Sequence, residues 1–412
     1  MPDVKIDTGD TAWLLVSTAL VMLMTPALGF FYGGLVRRKN VLSTIMHSFF
    51  ILALISVQWV LWGYSLAFGP SVGGVVGGLD WIGLNGVGQD PNPDYAATVP
   101  HLSFMAFQMM FAIITPALIT GAFAERKRFK AFVLFSILWA TLVYAPVAHW
   151  VWGVGGWLRT LGALDFAGGT VVHITSGASA LVAAIVLGKR LGVSNEAVEP
   201  HDATMTVLGA GLLWFGWFGF NAGSALGSGG LAAHAFVTTN TAAAMAGLSW
   251  MTISWMHHQR PSVLGLAVGA VAGLVAITPA AGFVTVPAAI LLGLAAGIVC
   301  YFAVDIVKKR LGVDDALDVV GVHGVGGTLG ALGTGLFATK LVNPAGNDGL
   351  FFGNPGQFVT QVIAVAVVWL YAMVVSWVIL KAIDLVVGVR VPEEEEVLGL
   401  DTSQHGEAAY TV

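Results

Sequence analysis

Residues 165–177 read DFAGGTVVHITSG, and residues 315–327 read DALDVVGVHGVGG. In each stretch an aspartate precedes a histidine by eight residues: Asp165 with His173, and Asp315 with His323. Each histidine follows a valine and is followed four residues later by a glycine, Gly177 or Gly327. Both stretches sit in apolar sequence, where an imidazole is out of place unless the fold gives it a partner or a task.

The rest of the chain sets the solvent. Of 412 residues, 57% are hydrophobic and only 10% charged, where a soluble domain carries about 25% charged residues. Mean hydropathy is +0.82. Apolar runs of membrane-crossing length recur from end to end, which predicts an all-α polytopic membrane protein. The 53 glycines suit close helix packing in lipid. Cys300 is the single cysteine, so an intrachain disulfide or a multi-cysteine metal site is excluded. The N-terminus MPDVKIDTGD lacks a basic n-region, so no cleavable signal peptide is expected.

Apolar runs read against charge and Gly/Pro punctuation give eleven spans, near 11–36, 43–68, 100–123, 131–152, 171–188, 203–225, 236–256, 262–278, 287–306, 320–340 and 357–382. Basic residues follow the first, third, fifth, seventh, ninth and eleventh spans. That puts 15 of the 18 Lys and Arg on one side, leaving Lys5, Arg159 and Lys340 on the other. Positive charge inside then places the N-terminus outside and the C-terminus in the cytoplasm. An odd count fits an inverted repeat of five spans plus five with one extra helix, and the two opening stretches fall in the fifth and tenth spans.

Those spans run in opposite directions. Eight helical residues rise about 12 Å, close to half of a roughly 30 Å hydrocarbon layer. Starting from opposite faces, His173 and His323 are therefore both expected near the midplane. They could pass a proton, hydrogen-bond a small polar solute, or simply tie two spans together. Metal ligation needs three or four ligands, and no other ligand is clearly placed at that depth. A bis-histidine haem would need a wide cavity, against which the glycine-rich flanks argue.

Aromatic residues gather on the outer side. Phe107 and Phe111 share a face of the third span at i, i+4. Trp152 ends the fourth span, and the sixth carries Phe220 and Ser224 outward. Singly, these read as interface belt or ordinary packing. Together, aromatic faces and a hydroxyl suit a small cation. An apolar lumen below would impose a Born penalty of many kcal/mol on a bare ion. A cation that can shed a proton escapes it; potassium and sodium cannot.

The chain resembles the ammonium transporter family (Amt/Mep/Rh), prokaryotic Amt type, over essentially its whole length. The resemblance is carried by GFFYGGLVRRKNVLS (29–43), ITGAFAERKRF (119–129), APVAHWVWG (145–153), LDFAGGTVVHITSG (164–177), WFGFNAGSA (217–225), ITPAAGFV (277–284), DDALDVVGVHG (314–324) and RVPEEEEVLGLDTSQHGEAAY (390–410). It implies a homotrimer in the cytoplasmic (inner) membrane, each subunit with its own hydrophobic pore for ammonium, ammonia and methylammonium. Trp152, Phe107 and Ser224 would recruit ammonium, with Asp165 in a structural and electrostatic role nearby. Phe111 and Phe220 would form a phenyl gate, and His173, His323 and Trp217 would line the pore. Asp315 and Asp318 match inner-vestibule positions. The tail, residues 383–412 beside a transporter domain of 1–382, resembles a segment that binds PII-type signalling proteins. Read without the resemblance, Glu393 to Glu396 are a solvated charge run.

Three function classes follow. The first is a transporter that deprotonates ammonium and conducts ammonia, with or without a relayed proton. The second is an ammonium sensor reporting through the tail, and the third a membrane redox or metal enzyme. The first is favoured, with no cofactor, metal or nucleic-acid partner expected.

Overall fold

A computed structural model describes residues 5–193 and 199–410; the first four residues of the N-terminal stretch lie outside this range. Its scaffold is a bundle of helices: α1 (Thr8–Leu35), α2 (Arg38–Phe68), α3 (His101–Phe123), α4 (Phe129–Leu161, interrupted at 153–156), α5 (Gly169–Leu187), α6 (Ala203–Gly223), α7 (Gly230–His258), α8 (Val263–Ile277), α9 (Val286–Arg310), α10 (320–337) and α11 (Pro355–Val387). Eight of these, α1 to α6, α9 and α11, are long and apolar enough to cross a membrane. The other three are weaker for identifiable reasons. α7 is rich in Ala and Thr, and α10 is rich in Gly. α8 has 15 residues, about 22 Å of helix, which is short of the hydrocarbon thickness.

Local chemistry sets the helix ends. Asp7 caps α1 through the Asp10 amide at 2.9 Å, and Asp202 caps α6 through the Met205 amide at 2.9 Å. Pro355 opens α11 at a position needing no N–H, and Gly388 closes it at φ +73°. α1 lies along α6, and α5 crosses α10, so elements in matching places of the two sequence halves pack on each other.

The all-helical expectation needs one addition. The 69–100 connection carries two short antiparallel strand pairs, Ser71–Val72 with Val76–Gly77 and Pro91–Asn92 with Ala96–Pro100. Two- to five-residue strands leave no periodicity for a sequence reading to find.

The tail also differs from a solvated run. Its backbone pairs with the α3–α4 connection, the Arg128 amide donating to Val389 O at 3.0 Å and the Val391 amide to Arg126 O at 3.1 Å. A short helix, α12 (Glu393–Leu398), follows. Glu396 on it is 1% exposed, pairs with Arg390 at 2.7 Å, and accepts from the Leu191 amide at 2.6 Å. Asp401 then caps α2 by accepting from the Leu42 and Ser43 amides at 3.0 and 2.7 Å. Four consecutive glutamates look alike in sequence, but one finds an arginine supplied by the fold.

Candidate functional site

α5 and α10 build the centre. Each opens with a π-helical turn, Gly169–Ile174 and Val320–Val325, and each turn carries one of the paired histidines. Such turns are uncommon and concentrate at functional sites. Their aspartates act as caps. Asp165 accepts from the amides of Gly168, Gly169, Thr170 and Val171 at 2.7–3.0 Å. Asp315 accepts from the Val320 amide at 2.7 Å. The spacing of eight therefore records a cap and a turn, not eight residues of helix. The 12 Å rise assumed from sequence does not apply, because residues 165–168 and 315–318 are non-helical.

The histidines nevertheless meet. His173 Nδ1 lies 3.2 Å from His323 Nδ1, with ring centroids 5.2 Å apart and planes 25° from parallel. One Nδ1 must donate and the other accept, so the rings hold complementary tautomers, and the accepting ring keeps its proton on Nε2. The matched glycines make the approach possible. A Cβ at Gly327 would stand 2.9 Å from His173 Cβ, and one at Gly177 would collide with the Gly324 backbone. Each histidine's i+4 glycine thus makes room for the other helix. The pair faces a narrow cavity lined by Leu28, Phe31, Ile114, Leu213, Trp217, Phe220 and other apolar groups, with room for about one water molecule. Trp217 stacks on His173 at 5.5 Å and donates to Thr278 Oγ1 at 2.9 Å.

Toward the N-terminal end of α5, where Asp165 caps it, the path is closed by rings. Phe220 lies 6.1 Å from His173 and 4.3 Å from Phe111; both phenyls are 1% exposed. Beyond them opens a second cavity of about 200 Å³, lined by Phe111, Trp152, Ser224 and Asp165 together with Asp94, Tyr95, Gln108, Arg159 and Phe166. Ser224 Oγ donates to Phe220 O at 2.8 Å, so its remaining capacity is to accept, as an N–H cation requires. Trp152 Nε1 donates to Asp165 O at 2.9 Å, which fixes the indole against the cap. Phe107 is fully buried behind Phe111, 4.9 Å away.

At the other pole, Asp315 is 1% exposed, with Oδ1 lacking a hydrogen-bond partner among the described residues. Burial first, and the neighbouring Asp318 carboxylate second, push its pKa up to about 7. Asp318 pairs with Lys308 at 2.5 Å. Neither aspartate lines the two cavities described above. Among the described residues no group of three His, Cys, Asp or Glu is arranged to hold a metal ion.

Sequence reasoning passed over Gln108, Asp94, Tyr95 and Arg159. Gln108 was detectable as a polar residue inside an apolar span, whereas Asp94 and Tyr95 in a connection and Arg159 on the short last turn of α4 carried no periodicity to find.

This geometry has close counterparts. The Ammonium Transporter Family model matches residues 12–410. The chain is 56% identical over 402 residues to an ammonium transporter of Bacillus subtilis, covering 98% of each chain. The chain belongs to the ammonium transporter family. It is also 52% identical over 405 residues to ammonium transporter Amt1 of Archaeoglobus fulgidus, covering 98% of this chain and 99% of that one. The crystal structure of Candida albicans Mep2 superposes with a TM-score of 0.89 at 40% identity, covering 98% of this chain and 91% of the other. The members of this family are membrane transporters or channels rather than enzymes, and the chain is a multi-pass membrane protein of that kind.

Proposed function

We propose that the protein transports ammonium by binding it at the outer aromatic cavity, removing a proton, and passing ammonia along the paired histidines. The observation that carries this reading is the order of groups along one path. A cavity lined by Trp152 and other aromatic residues, with the accepting Ser224 hydroxyl, is followed by the Phe111–Phe220 pair, then by His173 hydrogen-bonded to His323 among apolar walls. Trp152 and Ser224 recruit the cation, with Phe107, read from sequence as a third recruiting group, backing Phe111 from behind, Asp165 fixing the cavity wall, and Phe111 and Phe220 gating it. A metal-alkali ion meets no replacement for its hydration shell below the phenyls, while ammonia is neutral and both donates and accepts hydrogen bonds. Methylammonium, with three N–H donors, fits the same chemistry.

In this reading all eleven helices cross the cytoplasmic membrane, with the N-terminus outside and the C-terminus inside. α1–α5 and α6–α10 form the inverted repeat, and α11 is extra. Residues 1–382 are the transport domain, and 383–412 a cytoplasmic regulatory tail able to engage a PII-type protein. The subunits form a homotrimer. The Bacillus subtilis and Archaeoglobus fulgidus relatives, at 56% and 52% identity, bear transporter names, which makes the sensor reading the less favoured one. Purified protein in liposomes under an inward ammonium gradient is the test: substrate entry that saturates with ammonium, with no potassium current, is expected. Comparable potassium conduction would refute deprotonation as the basis of selectivity.

A further inference from the structure

Two glutamines on α11 lie deep in the protein and far from both histidines in sequence. Gln361 is 1% exposed and Gln357 4%. Gln361 grips one residue by both of its backbone groups. Its Oε1 accepts from the Leu164 amide at 2.8 Å, and its Nε2 donates to Leu164 O at 2.8 Å and to Ala331 O on α10 at 3.1 Å. Gln357 Nε2 buttresses it, donating to Gly162 O at 2.9 Å and to Gln361 Oε1 at 3.3 Å. Both donor hydrogens of Gln361 and both of its acceptor positions are used, so the amide has one orientation.

Leu164 immediately precedes Asp165. The Asp165 carbonyl holds the Trp152 indole N–H, and its carboxylate caps α5 just before His173. From these bonds we propose that Gln361, supported by Gln357, is the positioning residue of the ammonium-recruiting cavity, setting the place of Asp165 and through it the plane of Trp152. This assignment rests on the recruitment reading above and adds a task for the helix that stands outside the two halves.

The opposite pole shows what alternative chemistry is available. There the residue before the capping aspartate is Asp314. Its carbonyl accepts from Arg126 Nη2 at 2.7 Å, and its carboxylate is held by Arg190 at 2.8–2.9 Å. Guanidinium clamps serve a basic face. At the outer cavity, whose lining already holds the Arg159 guanidinium donating to Trp152 O at 2.6 Å, the residue before the cap is anchored by a neutral amide, which adds no second positive charge.

The test compares Gln361→Leu, Gln357→Leu and Trp152→Leu with wild type, reconstituted in liposomes, as rate against ammonium concentration. Gln361→Leu should raise the half-saturating concentration at least about 5-fold while the maximal rate per folded protein stays within about 2-fold, because gate and histidines are untouched. A fall in maximal rate or in folded yield with half-saturation unmoved overturns the proposal, since a merely structural clamp behaves that way. If Gln361→Leu does not fold, Gln357→Leu decides, with a shift of about 2-fold expected and no shift overturning it. Trp152→Leu separates the two claims. If it moves half-saturation and the glutamine variants do not, the clamp alone fails; if Trp152→Leu itself leaves half-saturation unmoved, the recruitment reading fails.

Discussion

Asp315 shows how one carboxylate can carry a cost that its position explains. It caps α10 with one oxygen and leaves the other buried without a donor among the described residues. Its pKa lies at about 7, against 3.8 for an ordinary aspartate. Between these values the folded protein holds a proton that the unfolded chain has lost. Stability therefore falls as pH rises from about 4 to about 7 and is flat above. Asp315→Asn keeps an accepting oxygen and removes the charge. It should be more stable than wild type at pH 8, by up to about 4 kcal/mol, with the gap closing at pH 4. Thermal unfolding in detergent across that range checks this, and a gap independent of pH would contradict it. At this scale the sequence was informative about identity and poor about contact. The Asp–His spacing marked the right residues, but a cap and a helical rise share the same letters. Glu396 was indistinguishable from its three neighbours, because Arg390 and the Leu191 amide that bury it are brought by tertiary structure.

Among the helices, the crossing of α5 and α10 is the decisive element. Gly177 sits against Gly324, and Gly327 against Gly169 and His173. Gly177→Ala would force the helices apart at the point where the imidazoles meet. Overpacking of this kind costs about 1–3 kcal/mol, and the 3.2 Å contact between histidines would be lost. We expect folded protein with a lower unfolding temperature and transport reduced at least about 10-fold; wild-type transport in this variant would show that the crossing has slack. The glycines were visible in the sequence as part of the matched stretches. Their reciprocity was not, because it needs the second helix. The long apolar helices were read with boundaries a few residues from those observed, whereas α8 and α10 were weak in sequence because short length and glycine dilute hydropathy.

Across the whole molecule, the tail is tied to three connections under the bundle. It touches α2 through Asp401, the 125–128 loop through its backbone, and the 187–191 segment through Arg390 and Glu396. Asp401→Ala leaves two α2 amides without a cap, a loss of about 1–2 kcal/mol. The local effect should be larger than the global one. Limited proteolysis should cut after α11 faster in this variant while the unfolding temperature moves little, and equal cutting rates would mean the remaining contacts suffice. Transport should persist, because the outer cavity and the histidine pair lie on other elements.

The central claim is that selectivity comes from removing a proton before the pore, with His173 and His323 as its polar lining. The most direct measurement is methylammonium uptake and its discrimination from potassium, in liposomes holding wild type or the His173→Ala, His323→Ala double variant at equal folded amounts. The account predicts that the double variant, still folded, transports or selects differently from wild type. Wild-type uptake together with wild-type discrimination in the double variant would contradict it.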